Sequence, residues 1–167
     1  MASILLQTAS DLSAAAYKNL ENGSTIHGYM LVTHEILSDG FRAQVWESIS
    51  DPGNVVFAFG GTDLTSSAND LFGDLGTDID LASGTLSPQF ADALNFFTNY
   101  VNANTLSSVQ VTGHSLGGAL AEYVTANAGN GLPNFQGGIT FEAPGIEQIP
   151  LVDSVSNTSL IDYGIYE

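Results

Sequence analysis

Apolar residues at Leu5, Ala9, Leu12, Ala16 and Leu20 lie on one stripe of a helix, and Asn22-Gly23 supplies a stop after it. From about Ile26 to Ile49 the chain turns β-branched and aromatic. Phe41, Ala43, Val45, Glu47 and Ile49 alternate there with Arg42, Gln44, Trp46 and Ser48, and Ser50-Asp51-Pro52-Gly53 follows as a turn. The pattern predicts a hairpin leading into Val55-Val56-Phe57-Ala58-Phe59, a continuous apolar run of the kind that forms a strand buried on both faces. That strand is expected at the centre of a sheet.

Residues 60 to 88 are rich in Gly, Ser and Asp and read as a loop with short helical turns. Ser87-Pro88 then opens a helix through Phe90, Ala93, Leu94, Phe97 and Val101. Ser108 to Thr112 reads as a strand, Leu116 to about Asn127 as a helix, and Gly138 to Phe141 and Leu160 to Tyr166 as strands. Strand, helix, strand, helix, strand implies parallel pairing, hence an α/β three-layer sandwich with a mostly parallel central sheet. No repeat or linker divides the chain, so residues 1–167 are expected to form a single domain.

Composition narrows the function. Of 167 residues only 12% are charged, yet 18 Asp and Glu against 2 Lys and Arg leave a formal charge of −16. Lys18 and Arg42 alone cannot neutralise a phosphate backbone, so nucleic-acid binding is excluded. No apolar run approaches the roughly 18 residues of a spanning helix. Met1-Ala2-Ser3-Ile4-Leu5-Leu6 lacks the basic start and apolar core of a cleavable signal peptide. The acidic, Lys-poor, Cys-free composition is similar to that of bacterial proteins exported in one step, so an extracellular location reached without such a peptide is expected.

One motif carries chemistry. Gly113-His114-Ser115-Leu116-Gly117 fits G-x-S-x-G, and it falls where the strand Val109-Gln110-Val111-Thr112 runs into the helix beginning Leu116-Gly117-Gly118-Ala119-Leu120-Ala121. A sharp strand-to-helix turn strains the serine backbone and demands close neighbours without Cβ atoms, which Gly113 and Gly117 supply. The Ser115 hydroxyl then stands at the positive end of a helix, where a developing oxyanion is favoured.

With these residues in view, Val111 to Ala121 resembles the nucleophile segment of the class 3 (fungal-type) lipase family of α/β-hydrolases, which act on lipid esters. Val55 to Asp63 is similar to the family's strand and oxyanion loop, with Gly60 where an Arg is common, and Ile139-Thr140-Phe141-Glu142-Ala143-Pro144-Gly145 is similar to its Thr-Phe-Gly-x-Pro strand end. The resemblance implies that Ser115 is the nucleophile and that Thr62 and the Leu116 N–H form the oxyanion hole. It implies a lid over Leu64 to about Leu75 making transient contact with a lipid interface, a lipid or ester substrate, and no cofactor or metal.

In the family the serine is followed by an acid and then a histidine. After Ser115 this sequence has no histidine; His27, His34 and His114 all precede it. His114 is a structural neighbour rather than the base in the family's pattern, and Asp162, in mid-strand, is a weak candidate beside Asp153 and Glu167. The triad acid and base are therefore expected beyond Glu167, the C-terminal part of the fold is expected to be missing, and little turnover is expected from residues 1–167.

Other features have plainer readings. Asp63, Asp70, Asp74, Asp78 and Asp80 do not follow the spacing of a known calcium loop and read as a solvated acidic stretch. Trp46, Phe96, Phe97 and Tyr100 read as packing. Glu142, at a strand end near the elbow, can contact substrate or brace a loop. A non-catalytic secreted binding or adhesion module on a hydrolase fold is the alternative to the esterase.

Overall fold

The computed structural model describes residues 4–61, 87–143 and 160–163. Its elements are α1 (Leu6–Ala15), β1 (Thr25–Ile26), β2 (Tyr29–Ile36), β3 (Arg42–Ser48), β4 (Asn54–Gly60), α2 (Pro88–Ala103), β5 (Ser108–His114), α3 (Leu116–Asn127), β6 (Phe135–Phe141) and β7 (Leu160–Tyr163). The strands form one sheet in chain order, β1 to β7.

The expected mostly parallel sheet is corrected to a mixed one: among the described residues β1 to β4 pair antiparallel and β4 to β7 pair parallel. Connection length is the reason. His27 and Gly28, at φ 48° and 81°, make a two-residue turn of the primed type that matches strand twist, and the link from β3 to β4 turns at Gly53, φ 88°. Parallel neighbours need a crossover of a dozen or more residues, and α2 and α3 lie within the connections from β4 to β5 and from β5 to β6.

Alternation along β4 divides the core. Val55, Phe57 and Phe59 belong to the cluster under α2 and α3, with Phe90, Phe97, Leu120 and Val124. Val56 and Ala58 belong to the opposite cluster, with Leu12, Leu31, Trp46 and Ile139 beneath α1. Both crossovers step the same way across the sheet, so crossovers of one hand lay α2 and α3 on the same face. The three layers are thus α1, the sheet, and α2 with α3. Trp46 and Phe97 are buried, and Phe57 meets Phe97, Tyr100 and Phe96 at ring centroids of 4.6, 5.6 and 6.2 Å, which is packing as expected.

The opening helix is shorter than its stripe. It stops at Ala15, where the Gln44 side chain donates to the Ala15 carbonyl at 2.9 Å and the Lys18 N–H turns back to the same carbonyl at 2.9 Å. These bonds satisfy a helix end that would otherwise be orphaned. Leu20 still packs into the α1 core, but from a loop. At the other end the Ile4 N–H donates to buried Gln110 Oε1 at 2.6 Å, and the Thr112 hydroxyl lies 3.1 Å from the Ala9 carbonyl. Polar side chains of the central strand therefore moor α1.

Candidate active site

Ser115 occupies the single position between β5 and α3, with φ 52° and ψ −124°. A non-glycine residue held there stores about 1–3 kcal/mol of backbone strain. Three hydrogen bonds hold it in place. The Ser115 N–H donates to the Phe141 carbonyl of β6 at 2.9 Å, while the Ser115 carbonyl accepts from Gly118 and Ala119 N–H at 2.9 and 3.2 Å and starts the helix.

The two elbow glycines are required by close approach. A Cβ on Gly113 would run into the Gly117 carbonyl, and one on Gly117 would run into the Phe59 carbonyl of β4. A third glycine, for which the sequence carries no signal, is required as well: a Cβ on Gly61 would sit 2.5 Å from the Leu116 side chain. The end of β4 therefore lies directly against the first residue of α3, whose N–H is among those with no partner inside the helix. Ser115 and Leu116 are both half-buried, and a helix start presents positive potential beside them.

On the α1 side of the elbow lies a half-open cleft of about 480 Å³ lined by Ser10, Ser13, Ala14, Tyr17, His114, Phe141, Glu142 and Tyr163. His114 Nε2 lies 3.1 Å from Glu142 Oε2, and the Tyr17 hydroxyl donates to the His114 carbonyl at 2.9 Å. Glu142 has φ 51°, and its N–H donates to the Tyr163 carbonyl at 3.1 Å. The residue named as a possible brace is thus paired with the elbow's own histidine. Sequence spacing could not show this pair, since only the parallel register of His114 with Phe141 brings the two together.

The three histidines have other partners than Ser115. His27 pairs with Asp11 at 2.5 Å, His34 Nδ1 lies 2.9 Å from Asn22 Oδ1, and His114 meets Glu142. Asp162 Oδ1 accepts from the Thr140 hydroxyl at 3.1 Å and the Ala143 N–H at 3.3 Å, so it ties β7 to the end of β6. Thr62, the stretch Leu64 to Leu75, the acidic residues from Asp63 to Asp80, Asp153 and Glu167 lie outside the described residues. Among the described residues no group of three or more His, Asp or Glu is placed to hold a metal ion.

A serine elbow between a parallel strand and a helix, on a mixed sheet covered on both faces, is the arrangement of a lipase-like α/β-hydrolase fold. The fold is similar to that of the M37 lipase crystal structure, at a TM-score of 0.60 and 16% identity over 95% of this chain and 66% of that one. It is also similar to the Lip2 lipase of Yarrowia lipolytica, at a TM-score of 0.55 and 15% identity over 83% of this chain and 58% of that one. The chain thus spans less than two thirds of either lipase. The chain belongs to the phospholipase-like family, as a Tle-like phospholipase domain matched over residues 7–157. No curated protein matches its sequence.

Proposed function

We propose that this domain is a serine hydrolase of lipid esters, with Ser115 as nucleophile and the Leu116 and Thr62 N–H groups as the oxyanion hole. The observation that carries the reading is the strained Ser115 backbone at the head of α3 in a chain of the phospholipase-like family. Ser115 Oγ attacks the ester carbonyl carbon, and the oxygen that becomes negative is met by donors fixed before the reaction. One such donor is typically worth about 2.7–4 kcal/mol. We place the general base and its acid beyond Glu167, because in the resembled family's order both follow the serine and no histidine follows Ser115 within residues 1–167.

A class 3 lipase relationship, a bacterial secreted origin and a lid over Leu64 to Leu75 belong to the same proposal. Leu64, Leu71, Phe72 and Leu75 supply the apolar side chains for a lipid surface, because a charge of −16 gives no attraction to anionic membranes. The lid is tested by deleting Thr65 to Gly73, which should alter the preference for aggregated over dissolved ester.

Fluorophosphonate labelling of the protein, in the full length its gene encodes, tests the nucleophile. Labelling of the wild type and not of Ser115→Ala supports the reading; equal labelling of both, or of neither, overturns it. A non-catalytic binding module on the same fold is the second reading, and labelling of neither protein would leave it standing.

A further inference from the structure

The cleft beside the elbow has a chemistry of its own. One wall is aromatic: Phe141 and Tyr163 stack with ring centroids 6.1 Å apart and planes at 25°, with Tyr163 about half exposed. The opposite rim carries Ser10, Ser13 and the Tyr17 ring from α1, and Glu142 and His114 close the end nearest Ser115. The Glu142 side chain is 30% exposed, so its carboxylate is reached from the cleft while one oxygen faces His114.

That combination selects among the parts of a lipid. An acyl chain laid here would cover the Glu142 carboxylate and the His114 imidazole and offer them no hydrogen bond in place of water. A phosphate would meet Glu142 with no cation to offset it: neither basic residue lines the cleft, and Arg42 donates to Asn19 Oδ1 at 2.8 Å. A positively charged ammonium is drawn by the charge of Glu142, and Phe141 and Tyr163 line the cleft with aromatic side chains of the kind that bind such cations. The volume, about 480 Å³, is within the range of small-molecule sites.

We propose that this cleft is an ammonium subsite that takes the choline or ethanolamine head of a zwitterionic phospholipid. The inference rests on the lipid-ester reading, which it narrows to a substrate class. His114, which lines the cleft, is the chain neighbour of Ser115, so the cleft adjoins the elbow. Tyr17 keeps its own hydroxyl bond to the His114 carbonyl in this arrangement.

Binding measured without catalysis separates this inference from the reading beneath it. Tetramethylammonium, phosphocholine and inorganic phosphate would each be titrated into the isotope-labelled protein, followed by the amide resonances of Ser13, His114 and Glu142. The first two are expected to shift these resonances and phosphate is not. Glu142→Gln should weaken phosphocholine by roughly tenfold, as loss of a charged partner does. Tyr163→Leu, which leaves Glu142 in place, should weaken it by roughly fivefold. An unchanged amide spectrum away from the cleft shows that each variant is folded. Sedimentation with phosphatidylcholine vesicles then separates a lipid head from free choline: binding to vesicles that Glu142→Gln reduces supports the lipid source, and binding of soluble phosphocholine alone overturns it. Cleft resonances that ignore tetramethylammonium, or shifts that Glu142→Gln leaves intact, overturn the subsite itself. If fluorophosphonate labelling fails while tetramethylammonium binds as described, the hydrolase reading falls and the ammonium site stands.

Discussion

The Tyr17 hydroxyl donates to the backbone carbonyl of His114 at 2.9 Å across 97 positions of sequence. It is a hydrogen bond from the turn after α1 to the residue immediately before the proposed nucleophile. The first helix is thereby fastened to the elbow from outside, while Phe141 fastens Ser115 from the next strand.

Tyr17→Phe removes that donor and keeps the ring. An ordinary hydrogen bond is worth about 0.5–1.5 kcal/mol, so the urea midpoint should fall by a corresponding amount. If the carbonyl also steadies the elbow, fluorophosphonate labelling slows in the same variant at temperatures where it is fully folded. An unchanged midpoint would mean that water replaces the tyrosine without loss.

Gly117→Ala and Gly131→Ala form a matched pair. The first drives a Cβ into the Phe59 carbonyl, a backbone group that cannot rotate away, whereas nothing lies within 4 Å of the second. Overpacking against backbone costs about 1–3 kcal/mol, and an open position costs within about 0.5 kcal/mol. Thermal melts of the two variants should differ accordingly; similar melting would deny the close contact of α3 with β4.

Ser115→Gly should be more stable than the wild type and inert. Glycine adopts φ 52° without the penalty a side chain carries, and relief of about 1 kcal/mol is expected in denaturant titration. Ser115→Ala keeps the Cβ and gains no such relief, so the two variants separate strain from chemistry. Equal stability of Gly and Ala at this position would show that the elbow is unstrained.

Acid should loosen the contact between α1 and the β1–β2 turn. Hydrogen bonds from His27 first, then Gln7, hold the Asp11 carboxyl below its ordinary value of 3.8. A carboxyl with a depressed folded pKa contributes stability that is complete above the unfolded value and is lost as pH falls through the folded one. The stability difference between wild type and Asp11→Asn should therefore shrink as the pH falls below 3.8. A difference that stays constant down to pH 2.5 would assign no role to Asp11.

Much of this was legible in the residues themselves. Gly113, Ser115 and Gly117 encode the elbow because its geometry excludes side chains at fixed spacing, and the apolar run from Val55 to Phe59 encodes a central strand because both faces are covered. The sequence stripe overran α1 because Leu20 serves the same core from a turn, and periodicity reports burial rather than hydrogen bonding. Strand–helix alternation in the second half of the sequence predicts a mostly parallel sheet, whereas the His27-Gly28 turn in the first half admits only antiparallel neighbours. His114 with Glu142, and Gly61 with Leu116, arise from register and close approach between distant segments, which no local pattern records.

The mooring of α1 has a consequence for synthesis. Its anchors, Gln110, Thr112 and the His114 carbonyl, lie about a hundred residues downstream. At a translation rate of about 5–20 residues per second, the helix emerges several seconds before the strand that secures it exists. During that interval Leu12 and Ala9, which end fully buried, have only the part of their core that β2 to β4 supply. The helix is therefore secured late, only once the strand that leads into the serine elbow has been made.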